Sequence, residues 1–295
     1  MARPGVLLQG RAMKVCVIAN SHVNMLLFAA KAGVGSEMDF TFFGAPASML
    51  RGLTLRPDKS GFIAETRDAS RWLKLTARAT EISFADYDAF VLVDLGMKQQ
   101  RVLNLFKDFQ PHACHVGGQA RLISERAFVT AAERAFDHSL MAHLLRQMQR
   151  VKQPIILVFP PFPSERLTRE PDFEWLGSAK GRGAMAWVNA VTTSAWERFA
   201  NARGCDYIAQ PPATIGRQGL TLERFSVGSE RVTGKAFSSD DSQHMNAAMG
   251  EIMLEQIVAV LHRKDLSRHH WSQRIRRVRR WAARRTRALR GKTQA

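Results

Sequence analysis

Five short runs rich in β-branched and aromatic residues, separated by longer amphipathic stretches, constrain this chain more than any other feature. Lys14 to Asn20 (KVCVIAN), Asp39 to Phe43, Ala89 to Leu95 (AFVLVDL), Pro154 to Phe159 and Cys205 to Ala209 are mostly near-continuous in apolar residues rather than alternating. Strands of that kind are buried on both faces, which a parallel sheet covered by helices provides. Helices are expected over His22 to Ala32, where Val23, Leu26, Leu27 and Ala30 share a face and Gly33 supplies the stop. Two more are expected over Ala120 to Gln149, broken once or twice, and over Ala184 to Ala202. The expectation is an α/β fold with a parallel five-stranded sheet between helices. Residues Arg51 to Ser83 give the weakest pattern, with a hairpin suggested around Pro57 to Gly61.

A chain of 295 residues that is 45% apolar and 23% charged buries a sizeable core, which excludes a disordered protein. No apolar run approaches the roughly 18 to 20 residues that cross a bilayer. Near the N-terminus, Gln9, Gly10 and Arg11 interrupt the apolar Val6 to Leu8 before a secretory signal could form. Cys16, Cys114 and Cys205 have no CxxC spacing, so neither a disulfide framework nor a cysteine zinc site is implied, and a cytoplasmic location is expected. His112-Ala113-Cys114-His115 lacks a fourth ligand, and no glycine motif follows a strand in the way a nucleotide loop requires. No metal and no cofactor are expected.

Residues 1–12 read as a flexible extension, 13–262 as one domain, and 263–295 as a basic amphipathic tail. Arg263 to Lys292 holds thirteen Lys and Arg against one acid, so the rest of the chain carries only +5 of the net +17. Trp271, Ile275, Val278, Ala282 and Leu289 fall on one helical face, with Arg274, Arg276, Arg277, Arg279, Arg280, Arg284 and Arg285 around it. Such a helix suits an anionic membrane surface, and peripheral attachment at the inner face is the expectation. A plain solvated tail accounts for the same residues. A nucleic acid is not the expected partner, because the excess charge is confined to this segment.

In an open parallel sheet, sites gather at the carboxyl ends of strands. Asn20-Ser21-His22 follows the first strand, placing a hydroxyl and its own N–H at a strand-to-helix turn, where a nucleophile and part of an oxyanion site coincide in Ser21. Helix capping by Ser21 is the plainer alternative. Near the other end, Asp241-Ser242-Gln243-His244 precedes Asn246 and a helical stripe of Met249, Ile252, Met253 and Ile257. A carboxylate three residues before a histidine can fix Nδ1, so that Nε2 faces a hydroxyl. The D-x-x-H spacing is common by chance, and its weight comes from its placement.

Ser after the first strand, Gly44 after the second and D-x-x-H-x-N before a final helix together resemble the SGNH (GDSL-type) hydrolases over about Met13 to Leu261. The sequence is similar to a bacterial subgroup with N-S-H as its first motif, found among surface-polysaccharide functions. The resemblance implies a flavodoxin-like sheet and an esterase or acyltransferase acting on an acylated small molecule or carbohydrate, with acetyl as the acyl group. It assigns Ser21 as nucleophile, His244 as general base, Asp241 as its orienting carboxylate, and Ser21, Gly44 and Gly96 to the oxyanion. Asn20, His22, Lys98 and Asn246 become candidate substrate contacts, His22 also reading as a structural helix-start residue. The third loop, Gly96-Met97-Lys98-Gln99, lacks the family's G-x-N-D asparagine, and Asn20 stands where the first motif has aspartate. These departures keep a catalytically silent binding protein, docked at a membrane-associated polysaccharide assembly, as the alternative.

Overall fold

The computed structural model describes residues 11–264. The chain forms two compact units, residues 1–255 and 256–295. The sheet and the candidate site belong to the first; of the second, residues 256–264 are described, as helix. Most of the expected N-terminal extension, and residues 265–295 of the basic tail with all the arginines named above, lie outside the described residues.

The apolar runs form β1 (Lys14–Ala19), β2 (Asp39–Gly44), β3 (Ala89–Val93), β4 (Ile155–Val158) and β5 (Asp206–Ile208). They pair in parallel in the order 2-1-3-4-5, with Val15 opposite both Phe40 and Ala89, Phe90 opposite Ile155, and Ile156 opposite Asp206. This is the flavodoxin-type order, as expected. The chain departs from β1 to opposite sides toward β2 and β3, opening a crevice at the carboxyl ends of β1 and β3.

Six helices are named here: α1 (Val23–Lys31), α2 (Arg67–Ala77), α3 (Gln100–Asp108), α4 (Glu125–Asp137), α5 (Leu140–Gln147) and α6 (Ala179–Asn201). Val15 to Ala19 and Ala89 to Val93 are wholly buried. Since successive side chains point to opposite faces, both faces of the central strands are covered. Cys16, Ile18, Phe90 and Leu92 join a core with Phe106, Phe128, Leu144 and Trp196 from α3 to α6. At a helix beginning at residue 247, a Cβ on Gly250 would lie 2.0 Å from the Met25 carbonyl oxygen, so glycine lets that helix close onto α1. Trp196 is buried, and its Nε1 donates to the Met97 carbonyl at 2.9 Å, tying the loop after β3 to α6.

Several boundaries differ from expectation. The third strand stops at Val93, because Asp94 and Leu95 turn into the left-handed region. Residues 121–123 are not helical but pair in parallel with Phe109–Pro111, and α4 starts only after Ser124 caps it through the Ala127 N–H. The break before α5 is another serine cap, Ser139. α6 begins earlier than expected, at Ala179, where Ser178 accepts from the Gly181 N–H. The suggested hairpin exists, with Leu53–Leu55 antiparallel to Gly61–Ala64, while α2 and α3 had no clear sequence signal.

Candidate active site

Ser21 lies between β1 and α1, at the crevice. α1 starts at Val23 with His22 in the capping position and no side-chain cap, so the hydroxyl is not used to start the helix. The N–H groups of His22 and Val23 are taken by the Asn20 side-chain and backbone oxygens, at 3.1 and 3.0 Å. Ser21 Oγ instead meets His244 Nε2 at 2.9 Å, across 223 positions of sequence.

His244 is held by its own loop. Asp241 Oδ2 accepts from His244 Nδ1 at 2.7 Å, while Oδ1 accepts the N–H groups of Gln243 at 2.7 Å and His244 at 2.9 Å. With Nδ1–H committed to the carboxylate, Nε2 is left as acceptor for the serine hydroxyl. Burial pushes the Asp241 carboxyl up, but the His244 hydrogen bond, the His244 charge and those two N–H groups outweigh it and hold the pKa at about 2. The loop is anchored where the Ser164 N–H donates to the Ser242 carbonyl at 2.7 Å and Ser242 Oγ to Glu170 at 2.9 Å. Phe237 stacks on the imidazole, with ring centroids 3.8 Å apart and planes 8° apart. It projects from a hairpin in which the Phe237 N–H donates to Ser229 and the Arg231 N–H to Lys235.

Beneath Ser21 lies a second, wholly buried pair that the sequence reading did not single out. Asp94 Oδ2 accepts from His22 Nδ1 at 2.9 Å and from Asn20 Nδ2, and Asp94 Oδ1 accepts from the Gly96 N–H at 3.2 Å. One carboxylate therefore ties together both residues that flank Ser21. Burial drives the His22 imidazole toward its neutral form, opposed by Asp94. Burial alone would raise Asp94, yet His22, Lys98 and Asn20 hold it below the usual carboxylate range. Asp94, Leu95 and Gly96 all have positive φ, at 59°, 46° and 87°. Non-glycine residues in that region cost about 1–2 kcal/mol each, and the bonds to Asp94 offset the strain.

The other expected residues are placed as follows. The Gly44 N–H donates to Thr76 Oγ1 at 3.0 Å and the Gly96 N–H to Asp94, so two of the three expected oxyanion donors are engaged elsewhere. The Gly44 site needs glycine for packing, since a Cβ there would lie 2.4 Å from Val23 Cγ1. Asn20 and His22 are buried, with side chains bonded to Asp94, and Asn20 also lines a recess beside Ser21. Asn246 is structural as well: Nδ2 donates to the Arg224 and Val227 carbonyls at 2.8 Å, and Oδ1 caps the final helix through the Met249 N–H. Lys98 is half-buried, and its charge acts on His22 and Asp94. Gln99, in the loop after β3, points to Asn189.

No protein-family model and no curated protein matches the sequence. Among solved structures, the chain is similar to a Streptococcus pneumonia protein provisionally described as a platelet activating factor. The match has 11% identity and a TM-score of 0.41, covering 85% of this chain and 86% of that one. It is also similar to protein YXIM of Bacillus subtilis, at 15% identity and TM-score 0.39, covering 86% of this chain and 57% of that one. Likenesses this distant say nothing of activity; the fold rests on the strand order and register. Among the described residues, no helix is long and apolar enough to cross a membrane.

Proposed function

We propose that the protein is a serine-dependent esterase or acyltransferase of the SGNH type, acting on small O-acyl groups such as acetyl on carbohydrate. The observation that carries this reading is the continuous chain Ser21 Oγ to His244 Nε2 to Asp241, at 2.9 and 2.7 Å. Ser21 attacks the acyl carbonyl as His244 takes its proton, and Asp241 stabilises the resulting imidazolium. The Ser21 N–H is the donor in this turn available to the developing oxyanion. Collapse of the tetrahedral intermediate returns the proton to the leaving alkoxide. Water or an acceptor hydroxyl then reverses the sequence, releasing the acyl group and restoring Ser21.

The engagement of the Gly44 and Gly96 N–H groups favours the second reading, a silent binding protein on the same scaffold. Incubation with a fluorophosphonate probe and with p-nitrophenyl acetate, beside Ser21→Ala, separates the two. Labelling and turnover that vanish in the variant support the enzyme; equal signals from both proteins refute it.

A further inference from the structure

We infer that this site takes esters of short acyl groups, up to about five carbons, because a small apolar recess beside Ser21 receives the acyl chain. The inference rests on Ser21 being the nucleophile. The recess has a volume of about 120 Å³. Its apolar wall comes from Val23 at the start of α1, Ala45 and Pro46 after β2, Trp72 of α2, and Val232 and Phe237 of the hairpin. Ser21 lies on the same wall, so an acyl carbonyl at its hydroxyl directs its chain into this space.

Size sets the ceiling. An apolar cavity of about 150 Å³ holds a benzene ring of six carbons, so this one holds about four or five. Two of the polar groups on the wall are already bonded: the Asn20 amide donates to Asp94, and the Thr76 hydroxyl is shared between Gly44 and the Trp72 carbonyl. The Arg231 guanidinium lies over the Phe237 ring, 4.8 Å from its centroid, on an exposed residue at the rim. Trp72 is the largest side chain on the wall and the one whose truncation lengthens the space.

The test is kcat/KM of the full chain on p-nitrophenyl acetate, butyrate and octanoate, for wild type, Trp72→Ala and Trp72→Phe, with thermal melts to establish folding. Wild type is expected to favour acetate and butyrate over octanoate by about tenfold or more. Trp72→Ala should raise the octanoate-to-butyrate ratio by about tenfold, with Trp72→Phe between the two. If Trp72→Ala does not fold, the wild-type profile and Trp72→Phe decide the matter. Equal use of octanoate and butyrate, or an unchanged ratio in a folded Trp72 variant, would overturn the inference alone, provided fluorophosphonate labelling is intact. Absence of both turnover and labelling in wild type would overturn the hydrolytic reading along with it.

Discussion

Exchanging the carboxylate and the amide beneath Ser21 measures how strongly the Asn20–Asp94 contact organises the turn. In Asp94→Asn, the amide oxygen does best facing Asn20 Nδ2 and His22 Nδ1, which puts its NH₂ against the Gly96 N–H. Loss of charge weakens each of the two retained bonds by about 1 kcal/mol, and two donors face to face cost a further 1–3 kcal/mol or so. His22 cannot relieve this by changing tautomer, because its Nε2 is buried without a partner and would become an unsatisfied donor. The expected cost is about 3–5 kcal/mol, in the range for breaking a buried pair. Asn20→Asp sets two carboxylates against each other and should cost about 2–4 kcal/mol at neutral pH. The double variant restores one carboxylate against one amide, so it should be at least 2 kcal/mol or so more stable than the sum of the singles implies. Urea unfolding of the four proteins at pH 7 provides the measurement. Costs that add to within about 0.5 kcal/mol would refute the idea that these residues act as a unit.

The remaining predictions concern the groups around Ser21. The folded Asp241 carboxyl, at about 2, lies below its ordinary 3.8. Its stabilisation, about 2 kcal/mol, is therefore complete above about pH 4 and lost as pH falls toward 2. Acid unfolding of Asp241→Asn should lack that part of the slope, and an unchanged slope would contradict the assignment. Gly44→Ala forces its new methyl into Val23 and should destabilise by about 1–3 kcal/mol, measured as a lower urea midpoint with an unchanged m-value. Phe237→Ala removes the ring stacked on His244 and should lower kcat several-fold, roughly tenfold at most, with little change in melting temperature. A kcat equal to wild type would show that the stack does not hold the imidazole.

Much of the scaffold was legible because burial leaves a strong mark on sequence. The five strands stand out since a strand covered on both faces tolerates almost no polar side chain. α3 was harder to see because its stripe, Val102, Leu103 and Phe106, is short and set among polar residues. Ser21, Asp241 and His244 could be picked out from a local rule, a carboxylate one turn before a histidine, together with the placement of Ser21 after the first strand and of Asp241 to His244 in the loop entering the last helix of the domain. Asp94 was overlooked although it is the one charge in AFVLVDL. Its signal was that a carboxylate closing a wholly buried strand must have donors nearby, but the sequence does not say which. Phe237 left no trace, because its partnership with His244 depends on the path of the hairpin and on no periodic spacing. Gly44 was noticed for its position and assigned to the oxyanion; it lines the recess beside Ser21, but its N–H donates to Thr76, a partner that no spacing in the sequence announces.

The separation of Ser21 from His244 along the chain bears on synthesis as well as chemistry. A nascent polypeptide carries Ser21 through 223 further positions before His244 is made. Until then the hydroxyl has no imidazole beside it. The Ser21–His244 hydrogen bond closes only when the loop that carries His244 docks beside the end of β1.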